Sequence, residues 1–279
     1  MSEPIKIAGV QMDVEFAKPN ANLRRMKSTI EETAGNGAFF TVFPECALTG
    51  YCYDSLDEAM PLAEPIPGPS TQELMETCKR FDMYAAFGLL EKDGDRLFNA
   101  CALVGPEGVV GTYRKIHLPY LGIDRFVTPG DRPFGVESVG PMRVGMNICY
   151  DGSFPESSRV MALGGADLII LPTNWPPGAQ TFADYAINSR AMENCIYYMA
   201  VNRIGTERDF RFIGKSRICD TDGNNLAFAP HEDETILYAE IYVERARNKR
   251  LVRVPNKHEI DRFADRRPEM YGPITAART

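Results

Sequence analysis

The sequence predicts an α/β layered fold built as one domain, and three observations carry that expectation. Runs of β-branched and apolar residues alternate with segments of helical periodicity along the whole chain, a pattern that separate all-α or all-β parts do not produce. No stretch of linker composition divides the 279 residues. With 44% hydrophobic and 25% charged residues, the chain holds enough apolar material for a large core, and α/β folds of this length commonly form a single unit.

Taken in order, residues 5–10 open as a strand, and residues 20–34 follow as a helix with Leu23, Met26 and Ile30 spaced three and four apart. Residues 41–43 form a short strand that Pro44 stops. After the proline-rich loop from Glu64 to Pro69, Ser70 and Glu73 make a capping-box pattern, so a helix is expected to start there and bury Leu74, Cys78 and Phe81. Residues 83–89, 99–104 and 109–117 read as strands, and the turn at Pro106–Gly108 makes the last two a hairpin, which implies a mixed sheet. Residues 143–149 form a strand ending in Cys149, and Pro155 suits the first position of the next helix. Residues 167–171 are almost wholly apolar, as in a strand buried on both faces. A helix over 182–195, strands over 196–202 and 213–220, and a turn at Asp222–Gly223 complete the pattern. The arginine-rich final residues, from about 245, are hard to fit into a core and are expected to form an extended tail.

Lysine and arginine total 31 against 38 acidic residues, a net charge of −7, with no basic block. Nucleic acid is therefore not an expected partner. The seven cysteines are an odd number, with no CxxC pair and no metal-type spacing, and read as reduced thiols. No segment approaches the roughly 20 apolar residues of a membrane span, and the N-terminus lacks the pattern of a secretory leader. A cytoplasmic location is expected, with no membrane partner.

Three segments place a reactive side chain at or just beyond an apolar strand, where α/β sheets present their sites. Glu45 follows Val42, Phe43 and Pro44, and partial desolvation would raise its pKa towards that of a general base. The plainer reading is a loop carboxylate held by backbone N–H groups. Strand alternation puts Tyr113, Lys115 and His117 on one face and Arg114 and Ile116 on the other; Lys115 then either points into a cleft or is simply solvated. Cys149 is either an inert small hydrophobe or a nucleophile needing thiolate character from nearby positive charge, to which the helix starting near Pro155 would contribute. A thiol, an ammonium to steady an oxyanion and a carboxylate to move the proton form a complete acyl-transfer set.

Phe43–Glu45, Tyr113–Pro119 and Ile148–Asp151 with Phe154–Glu156 resemble, in order, the three signature segments of the carbon–nitrogen hydrolase (nitrilase-like) family. Further matches at Leu171–Trp175, Arg190–Asn194, Asn202–Arg203, Gly214–Ser216 and Arg267–Tyr271 extend the resemblance over nearly the whole chain. The resemblance implies an α-β-β-α sandwich, Glu45 as base, Lys115 as oxyanion stabiliser and Cys149 as the acylated nucleophile. It also implies the Tyr150 backbone N–H in the oxyanion hole, no metal or organic cofactor, and a homodimer or larger homo-oligomer joined through residues 155–164 and 181–195 and the tail. Many relatives carry a second glutamate six residues before the proline of a Pro-Gly pair. Counting back from Pro129 gives Ile123, so Asp124 takes that role only if the loop is one residue short. Tyr51, Asn174 and Trp175 are candidate pocket walls.

Two other readings remain open: a Cys149–His117 dyad, and a catalytically silent binding protein, which the intact triad disfavours. The residues after Cys149 are similar to the amidase-type branch, since nitrile-cleaving relatives usually carry tryptophan then glutamate where Tyr150 and Asp151 stand. Gly152 and Ser153 lack the arginine that carbamoyl-cleaving branches use, although Arg125 or Arg203 could clamp a carboxylate from another loop. The expected substrate is a linear amide, with N-carbamoyl amines and nitriles as alternatives.

Overall fold

The structure, a computed structural model, describes residues 3–276. Its first half runs β1 (Ile5–Gln11), α1 (Pro19–Gly35), β2 (Phe40–Val42), α2 (Leu56–Ala59), α3 (Pro69–Phe81), β3 (Tyr84–Asp93), β4 (Arg96–Gly105) and β5 (Gly108–Arg114). The second half runs β6 (Val136–Val139), β7 (Met142–Met146), α4 (Pro155–Leu163), β8 (Leu168–Thr173), α5 (Ile187–Asn194) and β9 (Tyr197–Asn202). It continues with β10 (Thr206–Glu207), β11 (Phe210–Arg211), β12 (Arg217–Cys219), β13 (Asn225–Phe228), β14 (Thr235–Ile241), α6 (Val243–Arg247), β15 (Arg250–Val254), β16 (His258–Asp261) and α7 (Gly272–Thr275).

Two six-stranded sheets result, ordered β14-β1-β2-β3-β4-β5 and β13-β12-β9-β8-β7-β6. Each is parallel at its centre and antiparallel at both edges. Because successive side chains on a strand point to opposite faces, Ala86 of β3 and Leu103 of β4 join Val144 of β7, Ile170 of β8 and Met199 of β9 in the core between the sheets. The neighbours Ala85, Phe87, Ala100 and Ala102 face the other way, onto Leu23, Met26 and Ile30 of α1 and Leu74 and Cys78 of α3. On the second sheet, Gly145 of β7 lies against Met161 of α4, and α5 packs on β9 beside it. The α-β-β-α sandwich is therefore present. Burying a side chain such as Ile30, which is fully enclosed, contributes about 1.5–3 kcal/mol.

Several boundaries move for identifiable reasons. Helix α3 begins at Pro69, one residue before the expected cap, and Gly68 donates its N–H to the Thr71 hydroxyl at 2.7 Å. Ser70, now inside the helix, gives its N–H to the Glu64 carboxylate at 3.1 Å, so the Ser70–Glu73 capping box does not form. Strand β5 stops at Arg114 and β7 at Met146, leaving Lys115 and Cys149 in the connections just beyond, while the expected strand over 213–220 shrinks to Arg217–Cys219. The helix over 182–195 opens with a π-helical turn, Phe182–Ala186. Edge strands β6 and β13 are short and are held by pairing with β7 and β12, while β14, a longer run of β-branched and aromatic residues, pairs with β1 along its whole length. From residue 243 the chain docks α6 through Val243 and Ala246, with Arg247 gripping Asp167 at 2.9 and 3.0 Å, and then forms the β15–β16 hairpin.

Candidate active site

Glu45 sits three residues past the end of β2, where the chain crosses the inner face of β3. Gly88 makes this crossing possible: a Cβ there would lie 2.7 Å from the Glu45 Cα and 2.2 Å from the Cys46 nitrogen. Lys115, the first residue after β5, donates its backbone N–H to the Asn99 carbonyl at 2.8 Å, and Asp124 lies in the single 3-10 turn Gly122–Arg125. All three side chains are enclosed. The Lys115 ammonium donates to Glu45 Oε1 at 2.7 Å and to Asp124 Oδ2. Asn99 ties the carboxylates together, its Nδ2 donating to Glu45 Oε1 at 2.7 Å and to Asp124 Oδ1 at 2.9 Å. The Tyr51 hydroxyl completes the set by donating to Asp124 Oδ2 at 2.7 Å.

Cys149 opens the 3-10 turn Cys149–Ser153 that links β7 to α4, with its backbone in the left-handed region at φ 45°. A non-glycine residue held there is strained and persists only when its surroundings over-determine it. Asp151 supplies that constraint. One of its oxygens accepts from the Tyr113 hydroxyl (2.8 Å) and the Ile148 N–H (3.0 Å), and the other binds the N–H and Nδ1 of His117 at 3.0 and 2.8 Å. The nucleophile turn is thus pinned to the strand that delivers Lys115.

Electrostatics divide the labour among these groups. Burial pushes Glu45 up to about 7, against the pull of Lys115 and with a further upward push from Asp124. Burial alone would lower Lys115, but the carboxylates of Asp124 and Glu45 outweigh it and hold the ammonium well above its ordinary range. Burial pushes the Cys149 thiol up to about 12, with Glu45 adding to the rise. Lys115, the Thr173 hydroxyl and the Asn174 N–H act in the opposite sense. Desolvation and the Glu45 charge thus outweigh the local positive charge that would favour a thiolate, and the sulfur rests as a thiol.

Polar atoms left unpaired mark where a ligand belongs. Glu45 Oε2 and both side-chain amide atoms of Asn174 are enclosed and bonded to nothing in the protein, although a buried polar group without a partner costs about 1–3 kcal/mol. Of the candidate pocket walls, Tyr51 is bonded to Asp124 and Asn174 is buried with its side-chain amide unpaired. Trp175 is buried edge-on against Phe182, with its backbone N–H donated to Asn202. Tyr150 lies in the nucleophile turn with its ring half exposed over Phe154.

Other expected roles are corrected. The His117 ring gives its Nδ1 to Asp151 and stacks on Phe154 at 3.7 Å, while the carboxylate, ammonium and amide cluster of the site gathers around Glu45 and Lys115 instead. Arg203 is fully buried and paired with Glu207 and Asp13, which removes it as a carboxylate clamp; Arg125 is turned to the carbonyls of Gly122 and Tyr53. Sequence reasoning passed over Asn99 and Asp151. A signal existed for Asn99, the only polar residue in the alternating inward set Leu97, Asn99, Cys101 and Leu103. Among the described residues, no group of three His, Cys, Asp or Glu side chains is arranged to hold a metal ion, and no helix is long and apolar enough to cross a membrane. All seven cysteines are free thiols.

Comparison with known proteins places this geometry. The family model described as carbon-nitrogen hydrolase matches residues 6–251. A nitrilase of Pyrococcus abyssi is 40% identical over 268 residues, covering 96% of this chain and 99% of its own. The omega-amidase NIT2 of Bos taurus is 31% identical, covering 95% and 96%. Among solved structures, an amidase from Nesterenkonia sp. superposes with a TM-score of 0.80 over 97% of this chain and 96% of its own, at 22% identity, a likeness of fold.

Proposed function

Since the chain belongs to the carbon–nitrogen hydrolase family, we propose that it hydrolyses linear amides through a thioester on Cys149, with Glu45 moving the protons and Lys115 steadying the oxyanion. The observation that carries this reading is the asymmetry of Glu45. Its Oε1 is occupied by Lys115 and Asn99, while its enclosed Oε2 has no partner. One oxygen fixes the carboxylate and the other is free to exchange a proton. A pKa of about 7 suits a group that must both take and return one.

In the proposed reaction the sulfur attacks the amide carbon as Glu45 takes the thiol proton, and the carbonyl electron pair moves to oxygen, facing the Lys115 ammonium and the Tyr150 N–H. Glu45 passes the proton to nitrogen, the C–N bond breaks and ammonia or an amine leaves. Water then gives a proton to Glu45 and attacks the thioester; collapse returns that proton to sulfur and frees the acid. Asp124 acts by holding Lys115. Asn174 offers its unpaired amide to a polar group of the substrate, and Trp175 supplies an apolar wall.

Two features favour an amide over the alternatives. Tyr150 and Asp151 stand where nitrile-cleaving relatives usually carry tryptophan and glutamate, and Asp151 has both oxygens engaged in holding the turn. The engaged state of Arg125 and Arg203 disfavours a carbamoyl amino acid, whose carboxylate needs a free guanidinium. We further propose a cytoplasmic homo-oligomer associating through residues 155–164 and 181–195 and the tail, where Val160, Leu163, Tyr185, Met192 and Ile274 are exposed. Matched linear amides, nitriles and N-carbamoyl amines should be assayed side by side for ammonia and carboxylate. Faster acid production from the nitrile in any reacting pair, or turnover of carbamoyl amines alone, would overturn the amide assignment.

A further inference from the structure

Loop 43–54 carries both Glu45 and Tyr51, and its far end is held by a strut from the short β10–β11 ribbon. Glu207, in β10, is buried, and its Oε2 accepts the consecutive backbone N–H groups of Tyr51 and Cys52, each at 2.9 Å. Its Oε1 pairs with Arg203, which lies just past β9 and is fully enclosed. The Arg203 guanidinium also donates to the Val14 carbonyl at 2.8 Å and to Asp13 at 3.1 Å, and rests on the Phe212 ring. Nothing in this cluster touches Glu45, Lys115 or Cys149 directly. Its reach is through Tyr51, whose hydroxyl binds Asp124 Oδ2, the oxygen that also accepts from Lys115. The Tyr51 carbonyl accepts the Ile123 N–H at 2.9 Å, so Tyr51 fixes both the backbone and the carboxylate of the turn bearing Asp124.

We propose that Glu207, backed by Arg203, is a positioning residue that sets the Tyr51–Asp124–Lys115 chain and through it the charge environment of Glu45. The inference rests on the amidase reading for its effect on turnover, but not for its effect on the thiol. A buried ion pair is weak evidence of stabilisation; here it gives an acceptor a fixed orientation towards two adjacent N–H groups. Loosening Tyr51 leaves Asp124 with one fewer donor and frees it to rotate, so Lys115 drifts from Glu45 Oε1. Lys115 is the main influence lowering Glu45, so a looser contact raises the pH at which Glu45 can accept the Cys149 proton. A part that only supported the fold would change the amount of folded protein and leave that pH where it was.

The test uses Glu207→Gln, which keeps an acceptor oxygen and the side-chain shape, alongside Tyr51→Phe and the double variant. The first readout is the pH dependence of Cys149 alkylation by iodoacetamide, which needs no amide substrate. The wild-type rate is expected to rise through a midpoint near pH 7, and that of Glu207→Gln through a midpoint at least half a pH unit higher. The second readout is amide turnover, with kcat expected to fall about tenfold or more while KM stays within about threefold. In the Tyr51→Phe background the further loss from Glu207→Gln should be less than threefold, because both changes cut one chain. Unchanged alkylation midpoints in soluble, cooperatively melting Glu207→Gln, or multiplicative losses in the double variant, would overturn the proposal. If Glu207→Gln does not fold, the charge-conserving Glu207→Asp, whose shorter arm cannot reach both N–H groups, takes its place with the same readouts. Absence of wild-type amide turnover would instead overturn the amidase reading and leave the alkylation result to decide the strut.

Discussion

Replacing Asp124 with asparagine keeps the size of the side chain and removes one charge from the centre of the site. Asp124 and Glu45 accept from the same Asn99 nitrogen at 2.9 and 2.7 Å, which places the two bonded oxygens about 4.7 Å apart for ordinary donor geometry. Taking about 6 Å between charge centres and an effective dielectric of about 20, their repulsion is about 3 kcal/mol. That repulsion helps hold Glu45 up at about 7. In Asp124→Asn the repulsion is gone while the amide oxygen, still held by Tyr51, keeps accepting from Lys115, so the ammonium stays on Glu45 Oε1 and the net effect stabilises the Glu45 anion. A general base must be deprotonated to work, so the acid limb of kcat/KM, expected near pH 7 in the wild type, should move down by about one to two pH units. The plateau rate should fall by about tenfold to a thousandfold, because the base is weaker and Lys115 loses the carboxylate that aims it. The assay is ammonia release from a linear amide between pH 4.5 and 9, with alkylation of Cys149 as a substrate-free check of the same limb. An acid limb that stays at pH 7 or moves upward would refute the reasoning.

Cys149→Ala should abolish turnover, and Glu45→Gln and Lys115→Ala should each reduce it by about 10²–10⁴-fold without unfolding the protein and without adding in combination; more than a tenth of wild-type rate in either would contradict the assigned roles. His117→Ala should lower the rate modestly, by loosening Asp151, and residual activity below that of Lys115→Ala would favour the dyad. Burial holds Glu45 at about 7 against an ordinary 4.5, so its contribution to stability is fully present below about pH 4.5 and is lost as pH rises through 7. Urea unfolding of the wild type relative to Glu45→Gln should therefore lose about 3 kcal/mol between pH 4.5 and 8, and parallel curves would contradict the pKa. Deleting the chain from Arg266 should shift a reducing-buffer oligomer towards the 31.1 kDa monomer in light scattering; a monomeric full-length protein at micromolar concentration would remove the interface.

Sequence pattern alone determined the layered α/β class, most central strands and the order of the reactive segments, because those depend on local periodicity and on residue type at strand ends. Residues 41–43 and 143–149 could be read as strands delivering Glu45 and Cys149 without knowing what faced them. What the pattern could not decide was whether Glu45 was a solvated loop acid, Lys115 a surface cation or Cys149 an inert core thiol, since each outcome depends on residues far away in the chain. Asp124 remained ambiguous for the same reason: its role follows from Asn99 on β4 and Tyr51 on loop 43–54, both bonded to it across long sequence separations. The short edge strands β6 and β13 were also illegible, because an edge strand's pairing comes from its neighbour more than from its own composition, whereas β14 carried a β-branched and aromatic run that sequence reasoning passed over. Only the tertiary structure decided the protonation states. The sequence suggested a thiolate beside a lysine, but closing two sheets over Cys149 removes the water a thiolate would need, and the same enclosure raises Glu45 until it can take the proton. Burial is a property of the assembled fold, and here it shifts Glu45 and Cys149 upward together while the two carboxylates keep Lys115 charged.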